Sequence, residues 1–68
     1  MTFTYAKLKG KIKEKFDTQA RFAEHLGVSE NTVSRKLSGQ VGFSQEDIIT
    51  WCEALGIELH DAGAFFYS

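Results

Sequence analysis

The sequence has little that could staple a small fold. Cys52 is the only cysteine, so no intrachain disulfide can close, and with His25 and His60 far apart the chain lacks the paired short spacings of a structural zinc site. No metal and no cofactor are expected. No apolar run reaches the length of a membrane span or a signal-peptide core, so no membrane partner is expected. The solitary thiol points to a reducing, cytoplasmic setting. No strand pattern with a glycine-rich phosphate loop is present, no titratable groups cluster, and no motif surrounds a nucleophile, all of which argue against an enzyme. Repeats, low-complexity tracts and linkers are also missing. The expectation is therefore one domain over residues 1–68, near the lower size limit at which a core forms unaided.

Positive charge is missing from the second half. Residues 1–36 carry all eight basic side chains against Glu14, Asp17, Glu24 and Glu30, a net of +4, while residues 37–68 carry five acids and no base. The overall formal charge of −1 hides this division. Affinity for phosphate follows local potential, so the basic half is compatible with nucleic acid, with few phosphate contacts and a shallow salt dependence. The same division suits a protein-binding module with complementary ends.

What is present is helical periodicity punctuated by caps. Tyr5, Leu8, Ile12 and Phe16 recur at helical spacing, with Thr4 as the expected cap and Phe3 to Leu8 as a staple. Lysines at 7, 11 and 15 line one flank of that stripe and those at 9 and 13 the other, where they either snorkel into water or meet a phosphate backbone. Gly10, inside this helix, leaves room for another backbone, of helix or of DNA, to approach. Thr18 caps a second helix that buries Phe22, Ala23 and Leu26, and Gly27 ends it. Ser29 caps a third, with Val28 and Val33 at the two staple positions. On that third helix, residues 29–38, Val33 and Leu37 face inward. Asn31, Ser34, Arg35 and Ser38 share the opposite arc, with Glu30 at its edge. Ser38 to Phe43 reads as a loop. Phe43-Ser44 repeats the staple and cap ahead of a fourth helix with Asp47 at the capping-box position and Ile48, Ile49, Trp51, Cys52 and Leu55 as its buried stripe. Gly56 ends it, and one short last helix is expected around Asp61 to Phe65. Cys52 reads as a small core residue, and His25 as a solvated or turn-packing one.

The run Gln19, Ala23, Gly27 and Thr32 to Arg35 resembles the helix-turn-helix of the phage-repressor family, the Cro-like and repressor DNA-binding domains. The likeness is close over residues 18–39 and looser over the flanking helices. It implies an all-α, compact four- to five-helix bundle of the lambda-repressor-like type. The frame Tyr5 to Ile12, Phe43 to Ile48 and Phe65-Phe66 is similar to small regulators of Gram-positive phages and prophages. Some phage regulators of this size resemble repressors yet act by binding one.

Two functions follow from this reading. The first is a sequence-specific regulator that inserts helix 29–38 into the major groove of a double-stranded DNA operator. Gln19 would then bind a phosphate and brace the recognition helix, Asn31 would read adenine, and Arg35 would pair with guanine or a phosphate. Ser29, Thr32 and Ser34 would lie against phosphate or a thymine methyl, Glu30 would accept from cytosine, and Gln40 with the amides near Gly39 and Gly42 would donate to the backbone. Such a small domain calls for a homodimer, expected at Phe65, Phe66 and Tyr67 unless these fold back on Phe3 and Tyr5. The second is an antirepressor or modulator that binds a partner repressor protein through the same scaffold, favoured by the acidic half and by Glu30 on the polar face.

Overall fold

Thr18, Ser29 and Ser44 each stand in extended backbone, and each hydroxyl accepts an amide of the helix that follows, from Arg21, Thr32 and Asp47 respectively. These short polar side chains satisfy donors that a helix start leaves open, which is why the helices begin where they do. The computed structural model describes residues 5–66 and contains α1 (Ala6–Phe16), α2 (Gln19–Leu26), α3 (Glu30–Leu37), α4 (Gln45–Leu55), a 3-10 turn (Leu59–Asp61) and α5 (Ala62–Phe66). The protein is all-helical among the described residues, as expected. The expected cap Thr4 and staple residue Phe3, and the expected dimer residue Tyr67, lie outside them.

Helix ends follow the glycines where the sequence provides them. Gly27 closes α2 at φ 77° and Gly56 closes α4 at φ 70°, left-handed values at which any side chain would be strained. Two further corners fall on residues that give no such signal: Tyr5, ahead of α1, has φ 53°, and Asp17, after it, has φ 73°. Asp17 completes the tight corner into α2 by donating its amide to the Lys13 carbonyl.

Most of the apolar stripes converge as read from the sequence. Leu8 and Ile12 of α1, Phe22 and Ala23 of α2, Val33 and Leu37 of α3, and Trp51, Cys52 and Leu55 of α4 form one core with Tyr5, Ile57, Ala62 and Phe66. Its centre is aromatic. Phe22 meets the edge of Trp51 with ring centroids 4.8 Å apart, and Phe43 meets Trp51 at 4.9 Å, Phe66 at 5.0 Å and Tyr5 at 5.4 Å. Edge-to-face pairs of this kind add about 0.5–1.5 kcal/mol each beyond the area they bury.

Several expectations need correction. Ile49 is not part of the buried stripe of α4: it is 40% exposed. Ile48, Trp51, Cys52 and Leu55 already occupy one side of the helix, and a residue one step on from Ile48 is turned about 100° away from it. Phe66 is no dimer surface. It is 2% exposed and wedged against Phe43 and Trp51, so it packs back on the protein, on rings other than the expected Phe3 and Tyr5. The short last helix expected around Asp61 to Phe65 is present as α5, shifted by one residue, and a 3-10 turn precedes it. Finally, a methyl group built on Gly10 meets nothing within 4 Å, so of the two backbones expected there no helix of the described residues approaches.

Candidate functional site: the polar ridge of the third helix

The corner between α2 and α3 is specified by Gly27 and Ser29. The Gly27 amide donates to carbonyls of α2 and the Val28 amide reaches back to the Ala23 carbonyl at 3.0 Å, which tightens the end of α2 before the chain turns. Ser29 then starts α3. Its Oγ accepts from the Thr32 amide at 3.2 Å and shares a hydrogen bond with the Thr32 hydroxyl at 2.9 Å. Val28 is 42% exposed, so the staple expected between it and Val33 leaves much of Val28 in water.

With Val33 and Leu37 fully buried beneath it, α3 turns Glu30, Asn31, Ser34 and Arg35 to solvent. These four polar side chains form an outward ridge, and neither Asn31 nor Arg35 is drawn into the core. Ser29 and Thr32 flank its start, but their hydroxyls are already engaged with each other and with the helix amide. Their first role is the cap.

Gln19 sits apart from the ridge, at the start of α2. It is half-buried in a shallow notch shared with Lys9, Ile12, Lys13 and Asp17, so the start of α2 is brought beside two lysines of α1. Gln40 is exposed beyond the end of α3. The backbone here differs from the expectation of free phosphate donors. The Gly39 amide donates to the Lys36 carbonyl at 3.2 Å and the Gln40 amide to the Arg35 carbonyl at 3.0 Å, so both close the end of α3 instead of pointing outward. Carbonyls at a helix end need partners, and the local chain supplies them.

The polar group that sequence reasoning passed over is Lys36. Its ammonium turns away from the ridge and reaches Asp47 Oδ2 at 2.7 Å, with the Gly42 carbonyl at 3.5 Å and the Phe43 ring centroid at 5.7 Å. Asp47 also accepts the Ser44 amide at 3.1 Å, completing the capping box that opens α4. The Lys36 hydrogen bond is the main cause holding the Asp47 carboxyl below its ordinary range, reinforced by hydrogen bonds from Ser44 and opposed by partial burial. Eleven residues separate the pair, a spacing that no helical or strand periodicity marks.

The remaining charges are local. Lys11 pairs with Glu14 at 3.1 Å along α1, an exposed pair of small energetic weight. His25 is exposed and lies against Phe16 with ring centroids 5.0 Å apart, a turn-packing role. Cys52 is buried among apolar neighbours, and that burial pushes its thiol pKa up, away from a reactive thiolate. Among the described residues no group of acidic, histidine and cysteine side chains is placed to hold a metal ion, and no helix is long and apolar enough to cross a membrane.

The geometry has a solved counterpart. The solution structure of the modulator of repression (MOR) of the temperate bacteriophage TP901-1 from Lactococcus lactis is 37% identical and superposes with a TM-score of 0.89, covering 100% of this chain and 92% of that one. No curated protein matches the sequence. The family described as protein of unknown function (DUF739) matches residues 1–68 from end to end, and the chain belongs to that family.

Proposed function

We propose that this protein is a phage regulator of the modulator type, a single helix-turn-helix domain over residues 1–68 that acts in the cytoplasm by binding a partner repressor protein. The observation that carries this reading is the full-length likeness, at 37% identity, to a phage modulator of repression. The surface favours it as well. Of the four ridge residues only Arg35 is basic, Glu30 opposes it, and Lys36 is turned inward onto Asp47. A ridge so poor in free positive charge offers a protein partner hydrogen bonds and one cation, and offers DNA few phosphate contacts.

The polar ridge itself favours a second reading, direct major-groove recognition of a DNA operator by α3. In that reading Asn31 and Arg35 contact base edges, with about 1–3 kcal/mol of discrimination per good bidentate contact. Ser29, Thr32, Ser34 and Gln40 lie near the sugar-phosphate backbone, Glu30 faces cytosine, and Gln19 meets a phosphate at the start of α2.

One pair of measurements separates the two. The purified chain is run in mobility-shift assays on DNA from its own phage's control region at low and at physiological salt, and titrated calorimetrically into the purified repressor of the same phage. The modulator reading expects no sequence-selective shift by the chain alone and a saturable complex with the repressor. A selective shift that Arg35→Ala abolishes, with no heat on mixing with the repressor, would replace it with the DNA reading.

A further inference from the structure

At the far end of α3 Leu37 is buried in the core, and beside it Lys36, the base on that helix which does not face outward, makes a polar tie to another helix. At its near end α3 is fixed by the Gly27 corner and the Ser29 cap, and its extensive packing is against α2. Its far end runs into the loop Ser38 to Phe43, which carries Gly39 at φ 84° and no regular structure. Across that loop Lys36 reaches the start of α4. Its side chain is 13% exposed and that of Asp47 32%, so the contact at 2.7 Å is partly shielded from water, and the ammonium lies 5.7 Å from the centre of the Phe43 ring, which joins Tyr5, Trp51 and Phe66. Asp47 is held in turn by the Ser44 amide. A single carboxylate thus both caps α4 and receives the end of α3.

We infer that Lys36 is the positioning residue of the α3 ridge: its bond to Asp47 fixes the far end of α3 against α4, so that Asn31, Ser34 and Arg35 are presented to a partner at one tilt. Lys36 itself makes no contact with that partner. The inference rests on the proposed function only in naming the ridge as the contact surface, and its first test needs no partner.

A partly shielded pair of this kind is better suited to fixing an arrangement than to raising stability, because the desolvation of the lysine and the screening of the partly exposed carboxylate both offset its attraction. That difference separates a positioning role from a merely structural one. Residual dipolar couplings of backbone amides report the orientation of α3 relative to α1, α2 and α4 in the free protein. In the wild type and in Lys36→Arg, which keeps the charge, all four helices should fit one alignment frame. In Lys36→Met, α3 should depart from the frame that the other three still share, while its amide protection in the body of the helix persists. If Lys36→Met proves too unstable to measure, Lys36→Met combined with Asp47→Asn removes the unpaired carboxylate yet leaves a side-chain oxygen to accept from Ser44, and the same departure is expected.

Binding to the purified repressor supplies the second readout. Affinity should fall about threefold to tenfold in Lys36→Met, the cost of reordering a contact surface on association, and recover in Lys36→Arg. Couplings that fit one frame in both charge-removing variants would overturn the inference whatever the repressor does. Failure of the wild type to bind the repressor, with the coupling result intact, would instead overturn the modulator reading and leave the role of Lys36 standing.

Discussion

At the scale of single residues, Phe66 and Asp47 show how a side chain's surroundings change its meaning. Phe66 sits at the end of an aromatic tail that invites a dimer interface, yet it is 2% exposed and seated between Phe43 and Trp51. Phe66→Ala should therefore lower unfolding free energy by about 3–5 kcal/mol in denaturant titrations, the usual cost of removing a buried phenyl ring, without any change in sedimentation of the folded fraction. Asp47 adds a dependence on pH. Its carboxyl is held below the ordinary value of 3.8, chiefly by Lys36, so the folded state binds this proton less readily than the unfolded chain does. The stability it contributes is present above the unfolded pKa and disappears as pH falls through the lowered one. Denaturant midpoints followed from about pH 6 to about pH 3 should fall less steeply in Asp47→Asn than in wild type, because the substituted residue has no proton to take up.

At the scale of elements, two glycines carry opposite consequences. Gly10 lies inside α1, facing open space, and spends helix propensity with no turn or close approach in return. Gly10→Ala should raise stability by about 0.5–1 kcal/mol, read as a higher midpoint with unchanged slope. Gly27 also faces open space, but at φ 77° it occupies a conformation that costs an L side chain about 1–2 kcal/mol. Gly27→Ala should lower the midpoint correspondingly and perturb amide shifts around Ser29, since the corner that sets the start of α3 must move or bear the strain. The helices themselves were legible because their caps are local: Thr18, Ser29 and Ser44 each act on an amide within three residues. The positive φ of Asp17 was not, because nothing in an Asp side chain demands that conformation. It belongs to a three-residue turn in which the Thr18 amide donates to the Phe16 carbonyl at 2.8 Å.

At the scale of the whole molecule, the divided charge decides how the ridge can be used. All the bases lie in residues 1–36, five of them on α1 and only Arg35 on the outward face of α3. Each phosphate neutralised adds close to one unit to the salt slope of DNA affinity, so DNA binding through this ridge should show a slope no steeper than about one or two units. Mobility shifts at graded salt check this directly. A steep slope would require the α1 lysines to reach the duplex, and would return the second reading to first place. In our proposal the ridge, poor in free bases, turns Glu30 and Arg35 to the partner as its two charges.

The sequence alone determined what depends on neighbours in the chain: where α2, α3 and α4 start and where α2 and α4 stop, the faces that Leu8, Ile12, Phe22, Val33, Trp51 and Leu55 turn inward, and the outward placement of Asn31, Ser34 and Arg35. These follow from caps, glycines and a 3.6-residue period, all of which act over a few residues. Tertiary structure alone decided that Lys36 belongs to Asp47 instead of the ridge, that Phe66 closes the core instead of an interface, and that Ile49 stays in water. Each of these depends on which distant segment arrives next to the side chain, and that is set by the common burial of several stripes at once, a condition no local pattern records.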